Sequence, residues 1–365
     1  MNKKQEFDVK ISRLQRFLAE KEKKGILINH QDNFSWVTCG GENRVVTASE
    51  SGASELLVTG KKVYLVANNI ESDRVMEEEL FGLEFEPLVF PWHEKNKKEK
   101  LLSEIAKPSQ LLSDNGSIGK IVDLTPLHFP LTESELIRYR TLGKKVGASF
   151  RAASQEIKVG DTENKIAAVM AEILMSQGIY PTVLLIAADE RILKFRHPLP
   201  TKNQLKKYVM MVVCGRQAGL IVSATRLVSF GKLSPELERK HKAVVYVDAA
   251  FNLETKPGKM MAEIFTDGLK AYQTCGFPEE WRLHHQGGLT GYQGRYYMAH
   301  QTEKRKVATN SAFAWNPSIA GTKSEDTILI TEKNGPEIIS ATQGWPMVET
   351  VYKGIKISRP AVLVK

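Results

Sequence analysis

YVMMVVCGRQAGLIVSATR, residues Tyr208 to Arg226, is the stretch on which the reading of the chain turns. Its apolar run Val209 to Val213 suits a buried strand. Gly215 and Gly219 interrupt it, and Leu220 to Val222 is apolar again. The pattern predicts two short strands joined by a glycine-containing turn and closing on Ser-Ala-Thr-Arg. Successive strand side chains alternate, so Val213 and Cys214 are expected on opposite faces.

Upstream of the hairpin, Thr132-x-x-Glu135 is a capping box. It predicts a long helix with Leu136, Tyr139, Leu142, Val146 and Phe150 on one face. Gly160 closes that helix, and Asp161 opens a second through Ile166, Val169, Met170 and Ile173, before a strand at Val183 to Ala187. Downstream the same order returns. Ser234-Pro235 starts a helix, Pro257-Gly258 precedes another, and strands follow from about His284. Two helices then strands, twice over, predict a structural duplication.

Residues 8 to 124 read as a separate small α/β domain, with strands at Gly25 to Asn29, Glu55 to Thr59, Lys62 to Ala67, Phe85 to Phe90 and Lys120 to Leu124. Between them lie helices over residues 8–24 and 70–80 and the exposed, charged run WHEKNKKEK. Thr125 to Pro130, with two prolines and neither period, is the joint. The expected division is therefore 1–130 and 131–365, in an α/β (α+β) fold.

A chain of 365 residues with three scattered cysteines and no apolar run near the ~18 residues of a membrane span reads as a cytoplasmic protein. MNKKQEFDVK has a basic start but no apolar core, so no signal peptide is expected in it. The formal charge of +9 raises nucleic acid as a partner. The basic clusters, however, are broken by Glu or by helix-spaced apolar residues. None interleaves aromatics as a stacking platform would, so nucleic acid is not the expected ligand.

The hairpin resembles the pita-bread hydrolases: methionine aminopeptidase, aminopeptidase P, prolidase and creatinase. In metal-dependent members this segment reads D-x-G, a hairpin, then S-D-x-T-R, and its two aspartates bridge two metal ions. Gly215, Ser223, Thr225 and Arg226 match, while the aspartate positions are read as Val213 and Ala224. Glu133-Ser-Glu-Leu-Ile-Arg138 and Lys256-Pro257-Gly258 match two further family patterns. Coverage runs from about residue 130 to the end. The resemblance implies a small amino-terminal domain followed by a pita-bread domain with pseudo-two-fold halves.

Of the family's remaining metal ligands, the histidine of H-G-x-G is matched by His285 in His285-Gln-Gly-Gly288. The glutamate of E-P is replaced in Asn316-Pro317, and the glutamate of E-D-T is kept in Glu325-Asp326-Thr327. Two ligands of five survive. A pair of cations needs shared carboxylates, so no di-metal centre is expected and no cofactor is implied.

Creatinase, which resembles the peptidases in fold yet cleaves a C–N bond without metal, is the informative comparison. Its pattern puts a catalytic histidine before the hairpin, here His197 in Arg196-His197-Pro198. A G-R-E pattern supplies a carboxylate-binding arginine, here Arg295 in Gly294-Arg295-Tyr296. The second peptidase histidine falls at Tyr292. The resemblance thus implies His197, His285 and Glu325 as catalytic residues and Arg295, Tyr292 and Asn316 as substrate-binding ones. An arginine's planar fork suits a carboxylate, and a histidine suits proton transfer. Against this, His197 has an alternative reading as an exposed loop histidine, Arg295 as a surface charge and Glu325 as the start of a strand. If His284 and His285 lie in a strand, only one faces the site, which leaves His284 structural. Cys214, facing away from Val213, reads as a buried, inert thiol.

The expected function is hydrolysis of a C–N bond in a short peptide or small carboxylate-bearing compound, without a bound di-metal centre. The alternative is an inactive pita-bread domain that binds peptide or nucleic acid. The resemblance also implies a homodimer in which a loop around Asn43 and Arg44 reaches the partner's pocket.

Overall fold

The computed structural model describes residues 1–333 and 335–365. The chain forms two compact units, Met1–Glu135 and Leu136–Lys365.

In the first unit a six-stranded mixed sheet is built around Gly25–His30, which pairs antiparallel with Ser51–Thr59 and parallel with Leu111–Ser113. The helix Lys3–Glu20 covers it with Phe7, Ile11, Leu14 and Leu18; of the stripe expected from apolar spacing, Ile11, Leu14, Phe17 and Leu18, Phe17 is only half-buried and Phe7 takes its place in the core. Several details differ from the sequence reading, which has neither the strand Leu111–Ser113 nor the helix Gln31–Val37. Residues 72–79 form one short helical turn and a π-helical turn rather than a regular helix. The charged run after Trp92 enters a helix at Lys97–Ile105. The last strand is only Lys120–Ile121. Asn43, expected to reach outward, is buried with φ 48°. Its side-chain oxygen accepts from the Ser54 amide and its nitrogen donates to the Ser54 carbonyl, both at 2.8 Å.

The capping box at the boundary forms as predicted. The Thr132 amide donates to Glu135 Oε2 at 2.7 Å, and the Glu135 amide donates to Thr132 Oγ1 at 3.2 Å. The helix it opens runs Glu133–Glu156. In the second unit, helix Glu163–Met175 and strand Tyr180–Ala188 lead to the hairpin Tyr208–Gln217/Leu220–Ser229. Helices Pro235–Glu254 and Met261–Thr274 then precede a five-stranded sheet. Helix-helix-strands therefore occurs twice, and the predicted duplication is present.

The sheet that carries the hairpin and the five-stranded sheet are laced together along Ser223–Thr225 and Glu325–Thr327. The Ser223 amide donates to Thr327 Oγ1 at 2.8 Å, Thr327 Oγ1 donates to the Ser223 carbonyl at 2.9 Å, and the Thr225 amide donates to the Glu325 carbonyl at 3.2 Å. This seam sets Glu325 against the hairpin. Gly287 opens the strand Gly287–Thr290 of the five-stranded sheet, opposite Trp315. Its φ is 99°, and a Cβ there would lie 2.1 Å from the Ala314 carbonyl oxygen, so close backbone approach explains the glycine.

Candidate active site

The hairpin's inner face is not the one expected. Gly215 faces the long helix, where a Cβ would meet Ile179 and Val146 at 2.9 and 3.0 Å, and Val213 lies on that same helix side. Val212 and Cys214 line a cavity of about 390 Å³ instead. Directly across the hairpin from Cys214 is Ser223, and the two side chains meet at 3.2 Å. The assignment of the family's aspartate positions to Val213 and Ala224 is therefore corrected. Counting D-x-T-R back from Thr225-Arg226 puts the aspartate at Ser223, and Ala224 falls on the opposite face. Neither face carries a carboxylate, because the positions concerned are Val212, Val213, Cys214, Ser223, Ala224 and Thr225. Cys214, expected to face away, faces the cavity. Burial first and then the nearby Glu325 charge raise its pKa, so the thiol stays protonated near neutral pH.

His197, His285, Arg295, Asn316 and Glu325 all line this one cavity. Tyr292 does not. It is 1% exposed and lies outside the lining residues.

Glu325 is the charged centre. Its Oε2 accepts from Thr225 Oγ1 at 2.6 Å and from the Lys323 ammonium at 2.8 Å, and its Oε1 accepts from Arg295 at 3.2 Å. Burial alone would raise its pKa. Lys323 and then Arg295 outweigh that and hold it below the ordinary carboxylate value. Arg295 also donates to Ser223 Oγ at 3.1 Å, and its Nε is buried without a partner. Lys323 is 4% exposed. The sequence reading passed over it, although Lys323 and Glu325 are two residues apart, the spacing that puts both on one face of an extended segment.

The histidines form a second group. His284 Nε2 and His197 Nε2 are 3.1 Å apart, and the His284 and His285 ring centroids are 4.5 Å apart. The expectation that these neighbours face opposite sides is overturned, and so is a purely structural His284. The strand begins only at Gly287, and His284 follows the 3₁₀ turn Glu280–Leu283, so strand alternation does not apply to it. All three rings are kept neutral. Burial lowers the pKa of His197 and Lys323 adds to it. Burial with Arg295 and Lys323 lowers His285 to about 4, and burial with Lys323 drives His284 lower still.

A bridged metal pair does not fit these residues. The one carboxylate of the cavity is already occupied by an ammonium, a guanidinium and a hydroxyl, and Asn316 is neutral. His197, His284 and His285 place one nitrogen each within 4.8 Å of one another and have the donor set for a single ion. The Lys323 and Arg295 charges act against a cation there.

Two duplicated helix-helix-strand halves, laced around a cavity at the central hairpin, define a pita-bread domain. The chain belongs to Metallopeptidase family M24, whose family model matches residues 138–332, just over half of it. That family is one of peptidase-type hydrolases. The chain superposes on a Xaa-Pro dipeptidase from Bacillus anthracis with TM-score 0.74 and 16% identity, covering 98% of this chain and 99% of the other. It superposes on the prolidase from Pyrococcus horikoshii with TM-score 0.77 and 18% identity, covering 92% and 98%. It also matches the N-terminal domain of the FACT complex subunit SPT16 from chickpea, with TM-score 0.70 and 10% identity over 93% and 97%. At these identities the likeness is one of fold. No curated protein sequence matches the chain significantly. Among the described residues no helix is long and apolar enough to cross a membrane.

Proposed function

We propose that the second unit is a hydrolase of C–N bonds in small carboxylate-bearing compounds, working without the family's metal pair. The observation that carries this reading is the convergence of His197, His285, Arg295 and Glu325 on one open cavity. A domain kept only for its outer surfaces has no need of such a cluster. In this reading Arg295 and Lys323 hold the ligand's carboxylate. His197, neutral and more exposed than the other two rings, takes a proton from water as the water adds to the scissile carbonyl carbon. The imidazolium then returns that proton to the departing nitrogen as the C–N bond breaks. His284 Nε2, 3.1 Å from His197 Nε2, orients the ring and fixes its tautomer.

The test is a screen of the purified protein against dipeptides, N-acylated amino acids and guanidino acids, repeated with His197→Ala. Turnover that survives the substitution unchanged rejects the assignment of His197.

A second reading, a binding module, has a specific observation in its favour. The cavity's only carboxylate among the described residues is already bound by three partners, and the same fold is found in a subunit of the FACT complex. Homodimerisation also belongs to the proposal. Light scattering at micromolar concentration that reports a monomer removes it.

A further inference from the structure

The charges of the cavity do not balance. Arg295 and Lys323 contribute two fixed positive charges and Glu325 one negative charge, and the three histidines are neutral near pH 7. One positive charge is left over in a cavity otherwise walled by Val183, Leu185, Val212 and Cys214. Buried charges are costly unless paired, so the ligand that best completes this site brings one net negative charge.

A free dipeptide does not meet that requirement. It is a zwitterion, and its ammonium would need a carboxylate of its own. Glu325 is the only candidate, and both of its oxygens are already bonded, to Lys323, Thr225 and Arg295. Asn316, which the resemblance puts at one of the family's carboxylate positions, lines the cavity as a neutral amide. A neutral side chain there gives an ammonium no counter-charge and suits an uncharged, acylated nitrogen.

We propose that the cavity selects a monoanion whose nitrogen is acylated, an N-acyl amino acid with an apolar side chain, over the free dipeptide of the same carboxyl-terminal residue. The carboxylate meets Arg295 and Lys323, the acylated nitrogen brings no charge that needs a partner, and the side chain lies against Val183, Leu185 and Val212. This rests on the reading of the cavity as a small-carboxylate site, and it changes the substrate class within that reading.

The test is calorimetric titration of the full-length protein at pH 7 with N-acetyl-leucine, glycyl-leucine and N-acetyl-leucinamide. N-acetyl-leucine should bind at least ~10-fold more tightly than either of the others. The preference over the uncharged amide should shrink in Lys323→Met and persist in Lys323→Arg. Circular dichroism checks that both variants are folded, and the comparison among ligands on the parent protein stands without them. Glycyl-leucine binding as tightly as N-acetyl-leucine, or no binding of any of the three, overturns the proposal. Turnover is read separately. N-acetyl-leucine that binds tightly but is never cleaved sinks the hydrolase reading and leaves the selectivity intact. Cleavage of glycyl-leucine with no preference for the acylated ligand does the reverse.

Discussion

The Lys323 ammonium lies 2.8 Å from the Glu325 carboxylate, with both side chains almost wholly buried. The carboxylate that the family resemblance marks as a metal ligand is here held by a cation that belongs to the chain itself. A buried carboxylate needs a positive partner, and Lys323 and Arg295 provide it without an exogenous ion. The protein purified and dialysed without chelator should therefore carry well under one equivalent of manganese, cobalt, iron or zinc, measured by elemental analysis. Two equivalents would show that a metal pair displaces Lys323 from Glu325.

Arg295 and His197 should separate binding from chemistry. Arg295→Ala removes a charged donor and strips Glu325 of one partner, so binding of a carboxylate ligand should weaken by about 2–4 kcal/mol. His197→Ala should leave binding largely intact and lower turnover ~10²–10⁴-fold. The His197 pKa is lowered by burial and by Lys323, so the base stays neutral below its ordinary value. Activity should accordingly persist through mild acidification and be lost only as pH falls through that lowered pKa. Two variants with the parent's affinity and rate would favour the binding module.

The architecture was legible because it depends on local chemistry. The glycines of the hairpin, the Thr132/Glu135 box and the helix-helix-strands order each act within a few residues. The orientation of the site was less legible. Strand alternation is a rule of period two, so a one-residue error in placing the motif on Ser223 turns the whole face over, and with it Cys214. The His284–His285 pair was misjudged for a related reason, since alternation was applied to residues that leave a 3₁₀ turn. The placement of Glu325 against Thr225 depends on a seam between two sheets about a hundred residues apart in sequence, and no local pattern reports that.

His241 should make the protein acid-sensitive. It is buried, its Nε2 faces the Pro360 carbonyl at 3.0 Å, and its Nδ1 lies 2.8 Å from Thr322 Oγ1. The neutral ring meets both partners by donating from Nε2 and accepting at Nδ1. Burial lowers its pKa to about 4, and the Pro360 carbonyl opposes this only in part. Above the unfolded value of about 6.5 both states are neutral and the group contributes no pH dependence. Between about 6.5 and 4 the unfolded chain binds the extra proton, so stability falls on acidification, by on the order of 3 kcal/mol in all. Urea denaturation at several pH values should show this loss reduced in His241→Gln. An identical pH dependence in parent and variant would rule the group out.

Arg359 should be the most sensitive position outside the cavity. It is 1% exposed and bridges two buried carboxylates, donating to Asp248 at 2.6 Å and to Asp326 at 2.9 Å. Asp326 also accepts from Arg226 at 2.8 Å, so two guanidinium groups balance two carboxylates in a closed set. Ser324 donates to Asp248 as well, at 2.5 Å. The set therefore grips Ser324 and Asp326, the neighbours of Glu325 on either side, and fixes the segment that presents Lys323 and Glu325 to the cavity. Arg359→Ala leaves two carboxylates against one arginine, and an uncompensated buried charge of this kind costs about 3–5 kcal/mol. Arg359→Lys keeps the charge but lacks the planar fork that reaches both aspartates, and should fall between the parent and the alanine variant. Chemical denaturation measures both. A loss below about 1 kcal/mol in Arg359→Ala would mean that the carboxylates take up protons or water instead, and that the segment carrying Glu325 is held by backbone pairing alone.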